Sequence, residues 1–420
     1  MLEYIDLRYQ PSNNDLICSF YVEPDNCSLE KAARNVALES SIGTWTEIEI
    51  DKHTKKLKPN VFSINRRTNE IKIAYPSELF EPGNIPQILS SVAGNIFGMK
   101  IVKNLRLNDV AFPYKIIKSF KGPEFGIEGI RNLLKIKSRP LVGTIIKPKL
   151  GLVTKKHADV AYEAWLGGCD IVKDDENLTN QKFNPFRERV IKTLEKRDKV
   201  QELTGEKKIY MPNITAETNE MIKRAEFVKE HGGEYIMVDI LTVGWSALQT
   251  IRDLNLKLVI HAHRAMHAAI TRNQKHGISM LTLAKISRLI GVDQLHIGTV
   301  VGKMEGTAEE VEEVEDEMEN SMIHPVKPTH ILEQRWYHIK PVFAVCSGGL
   351  HPGHIPELVK ILGKNIIIQM GGGIHGHPSG TRIGAVAARQ AVDAVMRRVP
   401  LSVFARDHYE LKQALEHWLG

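Results

Sequence analysis

Gly167-Gly168-Cys169-Asp170-Ile171-Val172-Lys173-Asp174-Asp175-Glu176-Asn177 is a short apolar run that breaks off into four consecutive charges. It reads as a strand that ends at a polar rim. Working outward from it, the same figure recurs: a short apolar run, then an amphipathic helical stretch, then the next run. From about Leu141 onward it can be counted eight times, at Val142–Ile146, Asp170–Lys173, Lys208–Met211, Tyr235–Asp239, Lys257–His261, Gln294–Ile297, Val342–Val345 and Ile366–Gln369. The last run leads into the Ala-rich stretch Gly380–Met396. Eight βα units that close on themselves make a (β/α)8 TIM barrel. A doubly wound open sheet also alternates strands and helices, but no G-x-G-x-x-G follows the first run, so the barrel is the better reading.

Residues 1–125 read as a separate α+β unit. Strands are expected at Leu16–Val22, Thr46–Ile50, Glu70–Tyr75 and Ile101–Phe112, with helices from Ser28, a natural N-cap, to Glu39 and near Ile85–Phe97. The order βαββαβ is that of a ferredoxin-like sandwich. The expected organisation is therefore a ferredoxin-like domain at 1–125, a barrel at 126–400, and a helical C-terminal cap at 401–420 containing Asp407–Leu419.

Composition narrows the function class. The chain has 420 residues, 42% of them hydrophobic and 25% charged, with no apolar run approaching about 18 residues, so no membrane association is expected. MLEYIDLRYQ at the start has no signal-peptide pattern, and the four cysteines (Cys18, Cys27, Cys169, Cys346) are scattered, so a cytoplasmic protein without disulfides or zinc is expected. The formal charge of +6 is spread among interleaved acids and bases without aromatic platforms, which speaks against nucleic acid and suits a small anionic substrate. The acidic run Glu309–Glu319 is expected to be a solvated helix face.

Barrel enzymes place their chemistry at the C-terminal ends of the strands. Polar residues gather there: Lys147 and Lys149 after the first strand, Lys173, Asp175 and Glu176 after the second, His261, His263, Arg264 and His267 at the fifth, and His296 and Lys303 at the sixth. Ser347-Gly348-Gly349 ends the seventh strand and Gly371-Gly372-Gly373 the eighth. In an extended chain Lys173 and Asp175 point to one side and Glu176 can turn in beside them. Two carboxylates make a hard-oxygen site suited to magnesium. A lysine there conflicts with the metal unless carbon dioxide converts it to an anionic carbamate. The two glycine loops expose N–H groups that can hold phosphate, and with Arg264, His296 and Lys303 they form two anion clusters. Gly298–Gly306, carrying Lys303, has the glycines of a mobile lid. Among the histidines, His263 and His296 are the functional candidates, with His261 and His267 orienting their neighbours.

These motifs carry a family resemblance: Gly143-Thr-Ile-Ile-Lys-Pro-Lys-Leu-Gly-Leu152, the opening stretch, His261-Ala-His-Arg-Ala-Met-His-Ala268, Gly298-Thr-Val-Val-Gly-Lys-Met-Glu-Gly306 and Gln369-Met-Gly-Gly-Gly373. Over essentially the whole chain the sequence resembles the large chain of ribulose-bisphosphate carboxylase/oxygenase, and most of all its archaeal forms. The resemblance implies carboxylation of ribulose 1,5-bisphosphate to two 3-phosphoglycerate through a magnesium-bound enediol, with a side oxygenase reaction. Lys173 would be the carbamylated ligand of Mg2+ beside Asp175 and Glu176, and the base for the C3 proton. His263 would move protons at the hydroxyls, Lys303 would steer CO2, and Lys147, supported by Lys149, would protonate the product. One phosphate would lie on Gly349, Gly371 and Gly372, in a loop that includes Gly348; the other would lie on Arg264, His296 and Ser347.

Glu39-Ser-Ser-Ile-Gly-Thr44-Trp45 and Gly94-Asn95 also match the family. There Glu39, Thr44, Trp45 and Asn95 would complete the site of a neighbouring copy, implying a homodimer. Ile145 replaces a hydroxyl-bearing residue of the plant-type enzyme, a mark of subtype. The long plant-type extensions are not represented in this sequence, so no small subunit is expected. The related enolases and isomerases share the metal site; Lys147, Lys303, Glu39, His296 and the lid glycines are what separate a carboxylase from them. The archaeal setting implies salvage of nucleotide-derived ribose phosphate or a carbon-fixing cycle.

Overall fold

Four antiparallel strands, Asp15–Pro24, Asn60–Asn65, Glu70–Pro76 and Val102–Ala111, form the N-terminal sheet, with helices Leu29–Glu39 and Ile85–Val92 between them in sequence. The computed structural model of the chain describes residues 3–44, 46, 49–301, 307–325 and 331–420. Contacts divide it into two units: Met1–Gly122 with Met266–Ile290 and Asn320–Ile339, and Pro123–Ala265 with Gly291–Glu319 and Lys340–Gly420.

In the first unit the strands lie side by side in the order fourth, first, third, second, the ferredoxin-like order, and Gly277–Ile278 adds in parallel to the outer edge of the fourth. The helix after the first strand starts where expected, with Ser28 Oγ accepting from Lys31 N at 3.2 Å. The second strand does not lie at Thr46–Ile50. It lies at Asn60–Asn65, because Arg66-Arg67-Thr68-Asn69 turns the chain back onto Glu70–Pro76, with Asn69 in the left-handed region at φ +56°. Asn tolerates that conformation, which makes the hairpin a local choice of sequence. Glu47 and Ile48 lie outside the described residues.

The second unit is the expected barrel. Eight parallel strands, Leu141–Ile145, Ile171–Lys173, Ile209–Met211, Tyr235–Asp239, Val259–His263, Gln294–Gly298, Phe343–Ser347 and Ile366–Gln369, neighbour one another in sequence order, and the eighth pairs with the first. The ring closes between the third and fourth strands, where Met237 N donates to Pro212 O at 2.9 Å and Ile214 N to Met237 O at 3.1 Å. The fifth strand starts two residues later than the sequence suggests. Asn255 and Lys257 hold φ near +54° and +55°, so extension begins only after them and His263 becomes the strand's last residue.

Period-two alternation decides what fills the ring. Leu141, Ile171, Ile209, Tyr235, Val259, Phe343 and Ile367 pack with Ile127, Ile130 and Leu134 of helix Gly126–Leu134, closing the N-terminal mouth. Each of these buried side chains contributes about 1.5–3 kcal/mol. Two residues beyond Ile171 the same alternation turns Lys173 inward, with none of it exposed. The C-terminal helix spans Tyr409–Leu419.

Acidic helix Ala308–Glu319 departs from a fully solvated face. Val311, Val314 and Met318 are buried, but so are Glu315 and Glu317, and burial next to Glu319 pushes Glu315 up to about 9. Among the described residues, no helix is long and apolar enough to cross a membrane.

Candidate active site

The second strand supplies the centre of the polar rim. Lys173 Nζ donates to the carbonyl oxygen of Asp174 at 2.7 Å and lies 3.8 Å from Glu176 Oε2. Burial pulls its basicity below that of an ordinary lysine, against the opposing pull of Glu176, Asp175 and Asp239. Asp175 and Glu176 are held the other way. Burial works to raise both, but Lys147 and Asn177 at Asp175, and Lys173 and His263 at Glu176, outweigh it, so both carboxyls stay below the usual range.

Asp174 points away from this cluster. Its carboxylate, wholly buried, receives Tyr210 OH at 2.7 Å, Arg189 Nε at 3.0 Å and Asn213 N at 3.0 Å, with His157 Nε2 at 3.0 Å. Three hydrogen bonds on one carboxylate, with the His157 ring close by, fix the backbone of the strand end, and with it the placement of Lys173 and Asp175 on either side.

Lys147, from the end of the first strand, sets its ammonium 2.8 Å from Asp175 Oδ2. On its other side it approaches the eighth strand's loop, where a Cβ at Gly371 would lie 3.1 Å from Lys147 Cε. Lys149 is exposed two residues further on. Beneath them Thr144 Oγ1 donates to Met370 O at 2.7 Å and meets His375 Nε2 at 2.9 Å.

From the fifth strand, His263 Nδ1 lies 2.6 Å from Asp239 Oδ1 and 3.2 Å from Ala265 N, with Nε2 facing Glu176 at 3.7 Å. His261 and His296 are buried and joined Nε2 to Nε2 at 2.9 Å, with His261 Nδ1 on Gln294 Oε1 at 2.8 Å. Burial holds both rings well below the ordinary histidine range, so the pair is uncharged. His267 turns to Thr271 Oγ1 at 3.0 Å.

The cation near His296 is Arg264. Burial pulls its guanidinium down to about 10, and among the described residues no carboxylate pairs with it. A Cβ at Gly298 would come within 2.8 Å of Arg264 Nη2, and the backbone there holds φ +106°, a conformation that favours glycine. Ser347 ends the seventh strand, and Gly348 and Gly349 follow at φ +129° and +67°. Gly373 packs against the seventh-strand loop so tightly that a Cβ would lie 2.1 Å from Leu350 O. The two glycine loops therefore act as one piece.

The barrel thus brings together Lys147, Lys173, Asp175, Glu176 and His263 as one cluster, with Arg264, His296 and the loops of Ser347–Gly349 and Gly371–Gly372 around the same rim. Glu39 ends the first helix of the other unit, Thr44 is half-buried there and Asn95 is exposed. Lys303 and Trp45 lie outside the described residues. Sequence reasoning missed Asp239, Asn213 and His375. Asp239 is the last residue of its strand, so the strand-end rule that found the others also covers it.

A closed parallel barrel whose carboxyl rim joins a buried lysine, two ionised carboxylates and a cation-lined glycine surface defines a barrel enzyme acting on an anionic substrate. Comparison with known proteins makes this specific. Residues 3–116 match the model of the ribulose bisphosphate carboxylase large chain N-terminal domain, and residues 126–418 that of its catalytic domain. The ribulose bisphosphate carboxylase of Methanocaldococcus jannaschii is 54% identical, over 99% of this chain and 100% of its own. Among solved structures, the dimeric archaeal Rubisco of Hyperthermus butylicus superposes with a TM-score of 0.94 at 45% identity, over 99% of this chain and 98% of that one. The octameric Rubisco of Pyrococcus horikoshii, in complex with sulfate ion, gives 0.93 at 49%, over 99% and 96%. The chain belongs to the ribulose bisphosphate carboxylase large-chain family and resembles its archaeal members.

Proposed function

We infer that this chain is a ribulose-1,5-bisphosphate carboxylase, which joins CO2 and water to ribulose 1,5-bisphosphate and releases two 3-phosphoglycerate, with O2 competing in a side oxygenase reaction. The observation that carries the reading is Lys173, fully buried and less basic than usual, between two ionised carboxylates. A lysine kept toward its free-amine form is the form that reacts with CO2. The reaction makes an N–C bond, releases a proton and turns the side chain into an anionic oxygen donor.

The donor set then suits magnesium. Asp175 and Glu176 are hard oxygen donors already held ionised, and a carbamate on Lys173 would add a third anionic oxygen donor beside them. When bound, the ion would supply a Lewis acid for the substrate's oxygens. The carbamate oxygen is the base for the C3 proton. His263, oriented by Asp239, moves a proton at the substrate hydroxyls, and Lys147, poised on Asp175 beside Gly371, delivers a proton to the product. Lys149 supports it and Lys303 steers CO2.

Gly348, Gly349, Gly371 and Gly372 hold one phosphate on backbone N–H groups, and Arg264, with His296 and Ser347, holds the other. Glu39, Thr44, Trp45 and Asn95 serve the site of a second copy, so the working unit is a homodimer or a multiple of it, without a small subunit. The dimeric and octameric assemblies of its relatives support a working unit built of dimers. The test is to incubate the purified chain with magnesium and bicarbonate without oxygen, then add ribulose 1,5-bisphosphate and labelled CO2. Acid-stable label in 3-phosphoglycerate from the native chain and none from Lys173→Ala is expected. Folded dimer without label would move the function to an enolase or isomerase.

A further inference from the structure

The C-terminal helix Tyr409–Leu419 carries an aromatic side chain to the back of both glycine loops. Trp418 stacks on His351 with ring centroids 5.7 Å apart and planes 10° apart. His351 is two residues beyond Gly349, and it in turn lies against His354 at 3.7 Å. Trp418 also packs near Gly376, four residues beyond Gly372, where a Cβ would fall 3.4 and 3.5 Å from the indole Cη2 and Cζ2. The neighbouring Leu419 closes on Gly353, whose Cβ would lie 3.0 Å from Leu419 Cδ1. The indole Nε1 is buried, and among the described residues it has no hydrogen-bond partner. Trp418 is therefore held there by packing, and its ring touches the segment leaving each loop.

We propose that Trp418 is a positioning residue: packed against both His351 and Gly376, it fixes the Gly348–Gly349 and Gly371–Gly372 loops relative to each other so that their N–H groups converge on one phosphate of the substrate. The inference rests on reading those loops as the phosphate-holding part of the site. The chemistry of the loops explains why such packing is needed. Backbone N–H groups bind an anion only when several point at one place, and glycines by themselves do not hold that arrangement. Gly373 against Leu350 ties the loops together near the strand ends, and Trp418 ties them together again beyond. Binding energy for a phosphate then goes into the substrate rather than into ordering the loops.

The test compares the native full-length chain with Trp418→Phe and Trp418→Ala. Inorganic phosphate binding is followed by calorimetry, KM and kcat with ribulose 1,5-bisphosphate, and label uptake with magnesium and CO2. In Trp418→Ala, Kd for phosphate and KM are expected to rise roughly tenfold, the loss of one charge-assisted hydrogen bond, with CO2 uptake per chain unchanged. Trp418→Phe, which keeps a stacked ring, restores most of both. A merely structural role would lower kcat through the folded fraction and leave KM and Kd as they were, and that result overturns the inference. So does a native chain that binds no phosphate. Failure of the carboxylase reading shows separately, as a native chain that binds phosphate but fixes no label.

Discussion

The two ends of the barrel treat charge in opposite ways. At the N-terminal end Arg139 grips Asp170 through two bonds of 2.6 Å, and Asp170 also accepts from Val142 N at 2.8 Å. Asp293 takes Arg252 Nη2 at 2.6 Å together with the backbone N–H groups of Phe125 and Ile260, at 2.7 and 3.0 Å. Both of these buried carboxylates are answered by an arginine and by backbone N–H groups at hydrogen-bond distance. At the C-terminal end Lys173 is buried 3.8 Å from its nearest carboxylate, Arg264 has no carboxylate among the described residues, and His261 and His296 are held neutral. The first end secures the fold; the second holds buried groups without a close opposite charge, as functional sites do.

If that contrast holds, mutations at the two ends should separate stability from turnover. The largest stability effect is expected for Asp293→Ala, which leaves Arg252 buried without its partner: a loss of about 3–5 kcal/mol in denaturant unfolding, with turnover per folded chain preserved. Lys147→Met should do the reverse. Carboxylation is expected to fall at least about a hundredfold, while the loss of unfolding free energy stays below that of Asp293→Ala, because Asn177 still donates to Asp175. Equal losses in both quantities for either variant would blur the division.

A smaller effect tests whether the upper end costs stability. Burial, with Lys147 nearby, holds His375 down to about 4, against an ordinary value of 6.5. Between those values the unfolded chain binds the proton more tightly. The contribution is therefore intact above pH 6.5 and is lost as pH falls toward 4, at about 1.4 kcal/mol per pH unit, or about 2 kcal/mol by pH 5. Unfolding curves at pH 7 and pH 5 measure it, and in His375→Gln the difference should shrink by that amount.

Much of this was legible in the chain. The eight apolar runs were readable because each barrel strand is short, buried and closed by polar residues, as Ile171-Val172-Lys173 shows. The site was readable because barrel chemistry collects at strand ends. What escaped depended on geometry with no linear signal. The strand at Asn60–Asn65 is set by a turn at Asn69, and the true start of the fifth strand by positive φ at Lys257. Asp174 looks like its neighbour Asp175 in sequence, and only the alternation of the strand sends one to Arg189 and the other to Lys147. Trp418 lies some 240 residues from Lys173 in the chain, beyond any spacing argument, and its neighbours become visible only in the fold.

The central claim, that Lys173 is kept as a reactive amine to become a metal ligand, is open to one direct measurement. The native chain and Lys173→Arg are equilibrated with carbon-13 bicarbonate, with and without magnesium and without substrate, and carbamate carbon is observed by NMR. The expected result is one carbamate signal in the native chain, strengthened by magnesium and missing from Lys173→Arg. A native chain that fixes CO2 into product yet shows no such signal, or a variant that shows it equally, would contradict the account.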